Sequence, residues 1–300
     1  MKKNAFTMIE VIMVIVIFGI ISTIGANIIS KMYMNYMQSR TINYLQTQSA
    51  ITLEQISKRL QYRIKDSIVA RNRGTNDILY LGNSGVDESY DVIEWIGYSN
   101  EAMLTGRTPG WSGFIDIDDA NTNRPYLATP GSNLKKAEII MNALSNGKVN
   151  LSAGKEAALI FKGARSNNQS RDYGWDGNGG NVNYMLKVVR ENDQTFKIAS
   201  TLPVDEITIY EQYYLAHSAY AIVPEGDATN FNLNLHYNYK PWLGEEYNDG
   251  NTNKVLLATH VNLFRIRQVG NTIRLKLCLH DDRSSGFDNR IVACKEEVVL

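Results

Sequence analysis

Glu10 is the residue whose type and position most need an explanation. It is the one charge in the 24-residue run from Phe6 to Ile29, FTMIEVIMVIVIFGIISTIGANII. An ionised carboxylate at mid-bilayer depth costs about 2.5 to 3.5 kcal/mol on insertion scales, so it needs an opposite charge or a route to water. Position alone leaves two readings open: a functional charge paired with another chain, or a side chain near enough to the helix end to snorkel into the headgroups.

The other reactive side chains are sparse. Cys278 and Cys294, the two cysteines of the chain, have 15 residues between them and supply neither a CxxC pair nor a four-ligand metal set. In an oxidising compartment they are expected to pair, and closing a loop of that size contributes about 3 kcal/mol in the chain-entropy model; otherwise they stay as free thiols. His217, His236, His260 and His280 are scattered and read as surface or sheet residues. No GxSxG, HExxH, P-loop or dinucleotide fingerprint is present, and no catalytic residue is nominated. His280-Asp281-Asp282 reads as a solvated turn in preference to a metal site. Two loops space oxygen ligands closely enough to raise calcium, one with Asp116, Asp118 and Asp119, the other with Asp172 and Asp176. Neither matches an EF-hand, and Asx-turn chemistry accounts for both without a metal. The 17 tyrosines read as half-buried strand residues more readily than as a sugar- or partner-binding surface.

These residues need elements to position them. At 1.5 Å per residue the apolar run makes a helix of roughly 36 Å, enough to cross a bilayer and longer than the apolar part of a secretory signal peptide. Lys2 and Lys3 precede it, which keeps that end cytoplasmic and sends the bulk of the chain across. No glycine occurs between Ala26 and Arg73 and no proline before Pro109, so the helix is expected to continue. Ile42, Leu45, Ser49, Leu53, Ile56, Leu60, Ile64 and Ile68 follow three- and four-residue spacing, with Lys58, Arg59, Arg63 and Lys65 off that face. The spacing predicts membrane helix over 6–30 and amphipathic helix over 31–73, carrying a β-rich domain over 74–300.

That domain announces itself as short apolar runs between turn signals: Ile78–Leu81, Val92–Tyr98, Phe114–Ile117, Ala157–Lys162, Tyr184–Arg190, Phe196–Leu202, Ile207–Tyr214, Ala219–Val223 and Phe231–Tyr239. A helix is expected over Asn133–Ser145, capped by Ser132 and stopped by Gly147. A hairpin is expected from Val261–Val269 through Gly270-Asn271 to Thr272–Leu279, with Ile273, Leu275, Leu277 and Leu279 on one face and Cys278 on the other. The fold class is α+β, a long helix packed on antiparallel sheets. Net charge is zero, with 31 basic and 31 acidic residues, so no whole-chain field draws nucleic acid.

The stretch Lys2-Lys3-Asn4-Ala5-Phe6-Thr7-Met8-Ile9-Glu10-Val11-Ile12 resembles the class III signal of type IV prepilins and pseudopilins. The resemblance implies a leader over 1–5, cleavage between Ala5 and Phe6 by the prepilin peptidase on the cytoplasmic side, and methylation of the new amine of Phe6. It also implies that Glu10 meets the amine of a neighbouring subunit during filament assembly. Ala5 stands where the family usually has glycine, and Asn27 where major pilins commonly carry proline; the second departure favours a minor subunit. LEQISKRLQYRIKDSIV after an unkinked membrane helix is similar to J-type minor pseudopilins and larger minor pilins. Implied partners are other pilin subunits, the peptidase and the inner-membrane assembly platform; some pseudopilins also hold calcium in acidic loops like the two above. A rival reading is a periplasmic binding protein or enzyme tethered by an uncleaved anchor.

Overall fold

The long apolar-then-amphipathic stretch forms one unbroken helix, α1 (Met8–Gln61), of 54 residues or about 81 Å. The computed structural model describes residues 7–104, 106–123, 125–199, 207–281 and 290–300. From Met8 to Arg40 no residue of α1 is buried; from Thr41 onward Thr41, Leu45, Ser49, Thr52, Leu53, Ile56 and Leu60 are. The packed face therefore begins at Thr41, while the expected Ile42 points to solvent.

The helix stops twelve residues short of the expected end at 73. Nothing local breaks it; the sheet takes the backbone instead. The Ile64 N–H donates to Ile96 O at 2.9 Å and the Tyr98 N–H to Tyr62 O at 3.0 Å, so Ile64 and Ile68 reach the core from extended backbone. Propensity yields to tertiary pairing here. Arg63 closes the end, donating to Leu60 O at 2.8 Å and to Asn271 O at 3.1 Å.

Beyond it lie β1 (Val69–Arg71), β2 (Ile78–Tyr80), β3 (Val92–Tyr98), α2 (Asn100–Met103), β4 (Tyr126–Ala128), α3 (Leu134–Leu144), β5 (Ala157–Phe161) and α4 (Gln169–Asp172). Then come β6 (Met185–Asn192), β7 (Thr195–Ile198), β8 (Tyr213–Asp227), β9 (Asn230–Tyr239), β10 (Asn253–Val269), β11 (Thr272–His280) and β12 (Val292–Val299). All pairings are antiparallel, in a path β12-β11-β10-β9-β8-β5-β6-β7-β4 with β1, β2 and β3 off it. Phe114 makes only an isolated bridge to Gln212 where a strand was expected. Of the expected run at 207–214 only Tyr213 and Tyr214 are strand, and they join the run at 219–223 in one strand, β8, whose interior Leu215-Ala216-His217-Ser218 is buried on both faces and so shows no alternation. Residues 200–202 of the expected 196–202 strand lie outside the described residues. The cap of α3 is Asn133, which accepts from the Lys136 N–H; the expected Ser132 instead accepts from the Ser112 N–H at 2.9 Å. Gly147, at φ 79°, ends that helix by donating to Asn142 O at 2.7 Å, as expected.

The sheet forks along β8. At Ala216 the partners are Tyr98 of β3 and Ala158 of β5, so those strands flank opposite edges; at Ala221 they are Glu94 of β3 and His236 of β9. Strands β5 and β9 therefore share one edge of β8 and diverge from it. The β9–β12 branch buries Leu235, Val261, Leu275 and Leu277 in one core with Leu53, Ile56 and Leu60 of α1. The β5-β6-β7-β4 branch forms a second core with α3, around Trp111, Leu134, Met141, Leu159, Phe196 and Tyr213.

Candidate functional site

The first turn of α1 places Glu10 three residues after Thr7, the N-cap. The Thr7 N–H and hydroxyl both donate to Glu10 Oε2 at 3.4 Å, a capping-box arrangement at the long end of hydrogen-bonding distance. The T-x-x-E spacing that marks such a box is legible in the sequence. Around Glu10 the apolar side chains from Met8 to Ile29 touch nothing in their own domain: Met8 is 83% exposed and Ile29 69%. That is a large cost in water, and it is relieved only by lipid or by other chains.

Residues 1–26 match the family model described as the prokaryotic N-terminal methylation motif. The chain carries the type IV pilin and pseudopilin signature. No curated protein and no solved structure matches it. In this pilin-like chain the motif and the apolar helix together point to membrane anchoring through α1, with the β-rich domain C-terminal to it. The motif points to a structural subunit processed by a prepilin peptidase and associating with other pilins. Ala5 and Phe6 lie outside the described residues.

The remaining residues singled out in the sequence of the pilin-like chain are scattered through the β domain. Cys278 of β11 and Cys294 of β12 form a disulfide. The four histidines fall on four successive strands, β8 to β11, as sheet residues, and three of them, His217, His236 and His280, are buried. His236 Nδ1 lies 2.8 Å from Tyr247 O and His280 Nε2 3.2 Å from Asn230 Oδ1, while the His260 and His280 rings meet edge-on at 5.6 Å. Among the described residues no group of three or more His, Cys, Asp or Glu side chains is arranged to hold a metal, and Asp282 lies outside them.

The acidic loops are occupied by their own turns. Asp116 accepts from the Asp118 N–H at 3.1 Å, Asp119 from the Asn121 N–H at 2.7 Å, and Asp176 from the Asn178 N–H at 3.1 Å. Asp172 is buried and takes donors from Ser166 at 2.8 Å and from Arg171 at 2.9 Å and 3.0 Å. Tyrosines of the β domain take part in the packing, with Tyr98 stacked on Tyr214 at ring centroids 5.1 Å apart and Lys162 over the Tyr214 face, whereas Tyr33, Tyr36 and Tyr44 of α1 are exposed.

Proposed function

We propose that this chain is a minor subunit of a type IV pilus-like filament, a type II secretion pseudopilin or a minor type IV pilin, acting in a tip or assembly-priming complex. One observation carries the reading: a single helix whose apolar first half, with its lone carboxylate, packs against nothing of its own chain, while its second half is built into a folded domain. Cleavage between Ala5 and Phe6 frees an amine one helical turn before Glu10. In a staggered stack that amine meets Glu10 of a neighbour, and the paired charges tolerate lipid where one alone does not. The orientation is cytoplasmic N-terminus and periplasmic β domain, held on the inner-membrane assembly platform before incorporation. A domain this bulky suits a tip better than every step of a thin helical stack. The proposal includes no cofactor: Asp116, Asp118, Asp119, Asp172 and Asp176 serve as turn acceptors, so millimolar calcium leaves the thermal melt unshifted.

The Thr7–Glu10 capping contact favours a second reading, in which Glu10 serves its own helix and α1 is an uncleaved tether for a periplasmic binding protein. Glu10→Gln separates the two, because glutamine keeps the capping geometry and loses the charge. Abolished incorporation in Glu10→Gln, with residues 1–5 missing and a methyl on Phe6 by mass spectrometry of the wild type, supports the filament subunit. An intact N-terminus and full incorporation of the variant sink it.

A further inference from the structure

The last residue pair of the β9–β10 ladder is Phe231 with Val261. Beyond it β10 continues through Asn262–Val269 and pairs only with β11. Among the described residues no backbone hydrogen bond meets the other edge of that segment. The open edge forms one wall of a groove of about 950 Å³, whose other walls are the loop at 81–91 and the β8–β9 hairpin end at 224–231. Leu81, Val86, Ile93, Phe231, Phe264 and Ile266 give it an apolar lining.

Three further features narrow what fits. First, the rim carries charges of both signs, with Arg73 paired to Asp91 and Arg265 reaching across to Glu88 at 2.5 Å, beside Asp87, Asp227 and Arg267. Nothing there recommends a charged ligand. Second, Gln268 Oε1 and Asp91 Oδ1, both on groove residues, are buried acceptors with no hydrogen-bond partner among the described residues. Both atoms lie below the groove surface, and a donor from a bound peptide reaches them only as that wall opens. Third, Arg267 is exposed on the open edge itself. Antiparallel pairing of this edge with its own copy in a register centred there sets the two Arg267 cations against each other, which disfavours self-association.

We infer that the groove takes an extended, uncharged peptide segment of another protein, apolar at alternate positions, which adds as a strand along Asn262–Gln268. Main-chain hydrogen bonds supply the affinity and the apolar lining reads alternate side chains, the chemistry of strand addition at a sheet edge. Seven residues of strand span about 23 Å at 3.3 Å each. Gln268 Nε2 already donates to the Tyr80 hydroxyl at 2.6 Å, so side chains bridge one end of the groove where backbone does not. The inference stands on the domain alone and does not need the filament reading.

The test is amide hydrogen exchange on the full chain in detergent micelles, with and without the peptide acetyl-Ser-Val-Thr-Val-Thr-Val-Ser-amide. Addition of a strand slows alternate amides within 262–268 by about tenfold or more. A second peptide with methyl groups on alternate backbone nitrogens gives no protection, because it cannot complete the ladder. Glu88→Gln, which releases Arg265 on the rim, keeps the protection and speeds its onset. Absence of protection in 262–268 overturns the inference. Equal protection by the methylated peptide, or protection that grows with chain concentration in the absence of peptide, overturns it too, by showing side-chain docking alone or pairing with a second copy.

Discussion

Arg71 Nε lies 2.6 Å from Glu94 Oε1, and both side chains are sealed from solvent. The same guanidinium donates to Trp175 O at 2.8 Å and Asn76 Oδ1 at 2.7 Å, and the Tyr239 hydroxyl donates to Glu94 Oε2 at 3.0 Å. One buried ion pair thus ties β1 and β3 to β9 and to the glycine-rich loop after α4. Burial pushes the Glu94 carboxyl above its ordinary range, with Arg71 and Tyr239 opposing the rise. For Arg71, burial works against the charge, and Glu94, joined by Glu246 and Tyr239, more than offsets it.

Arg71→Ala leaves a carboxylate buried without its counter-ion and destabilises the chain by about 3 to 5 kcal/mol. The double variant Arg71→Met with Glu94→Gln recovers part of that loss, since no charge is then stranded. Urea unfolding of the detergent-solubilised chain, followed by tryptophan fluorescence, reads both; equal losses in the single and double variants contradict the pairing.

His217 makes acid the weak side of the domain. Its ring is buried, Nδ1 has no partner among the described residues, and burial lowers its pKa to about 4. The folded value lies below the unfolded value near 6.5, so the folded state binds the proton less well. Stability is complete above about pH 6.5 and falls as pH drops toward 4, by about 3 kcal/mol in all. His217→Leu flattens that slope; a variant whose melting temperature follows the same pH curve as wild type assigns the acid sensitivity elsewhere.

Reduction of Cys278–Cys294 releases the edge of the branch that holds α1. The two residues face each other in the β11–β12 register, and β12 is the outermost strand of that branch. Cys278→Ser with Cys294→Ser costs about 2 to 4 kcal/mol, chiefly through the unfolded chain in the loop-entropy account. Added reductant lowers the wild-type melting temperature and leaves the double variant unchanged; a wild type indifferent to reductant shows the bond to be unformed.

Gly174 tests what the Asp172–Asn178 loop is for. Its φ is +73°, and a Cβ there comes within 2.5 Å of Pro241 O, so the loop lies backbone against backbone. Gly174→Ala strains both the dihedral and the contact, and costs roughly 1 to 3 kcal/mol with or without calcium. A loss that appears only when calcium is removed reassigns the loop as a metal site.

Much of this molecule was legible in its residues. Val92–Tyr98 and Thr272–His280 were read nearly to the residue, because alternation and turn chemistry are local. Glu94 was not singled out, although a glutamate inside VIEWIGY is a signal of a buried pair; its partner Arg71 was hidden in a stretch read as helix. Of β8 the sequence shows only 213–214 and 219–223, as parts of separate runs, since a strand covered on both faces carries no periodicity of its own.

By itself the sequence determined the apolar helix with its single acid, the methylation motif, and a β-rich domain carrying two cysteines, because each is written in composition or in spacings of a few residues. Only the tertiary structure decided where α1 ends, how the sheet forks at β8, and which strand edge is left open. Those outcomes depend on partners far apart along the chain, such as Ile64 with Ile96 or Phe231 with Val261, and no window of neighbouring residues contains both.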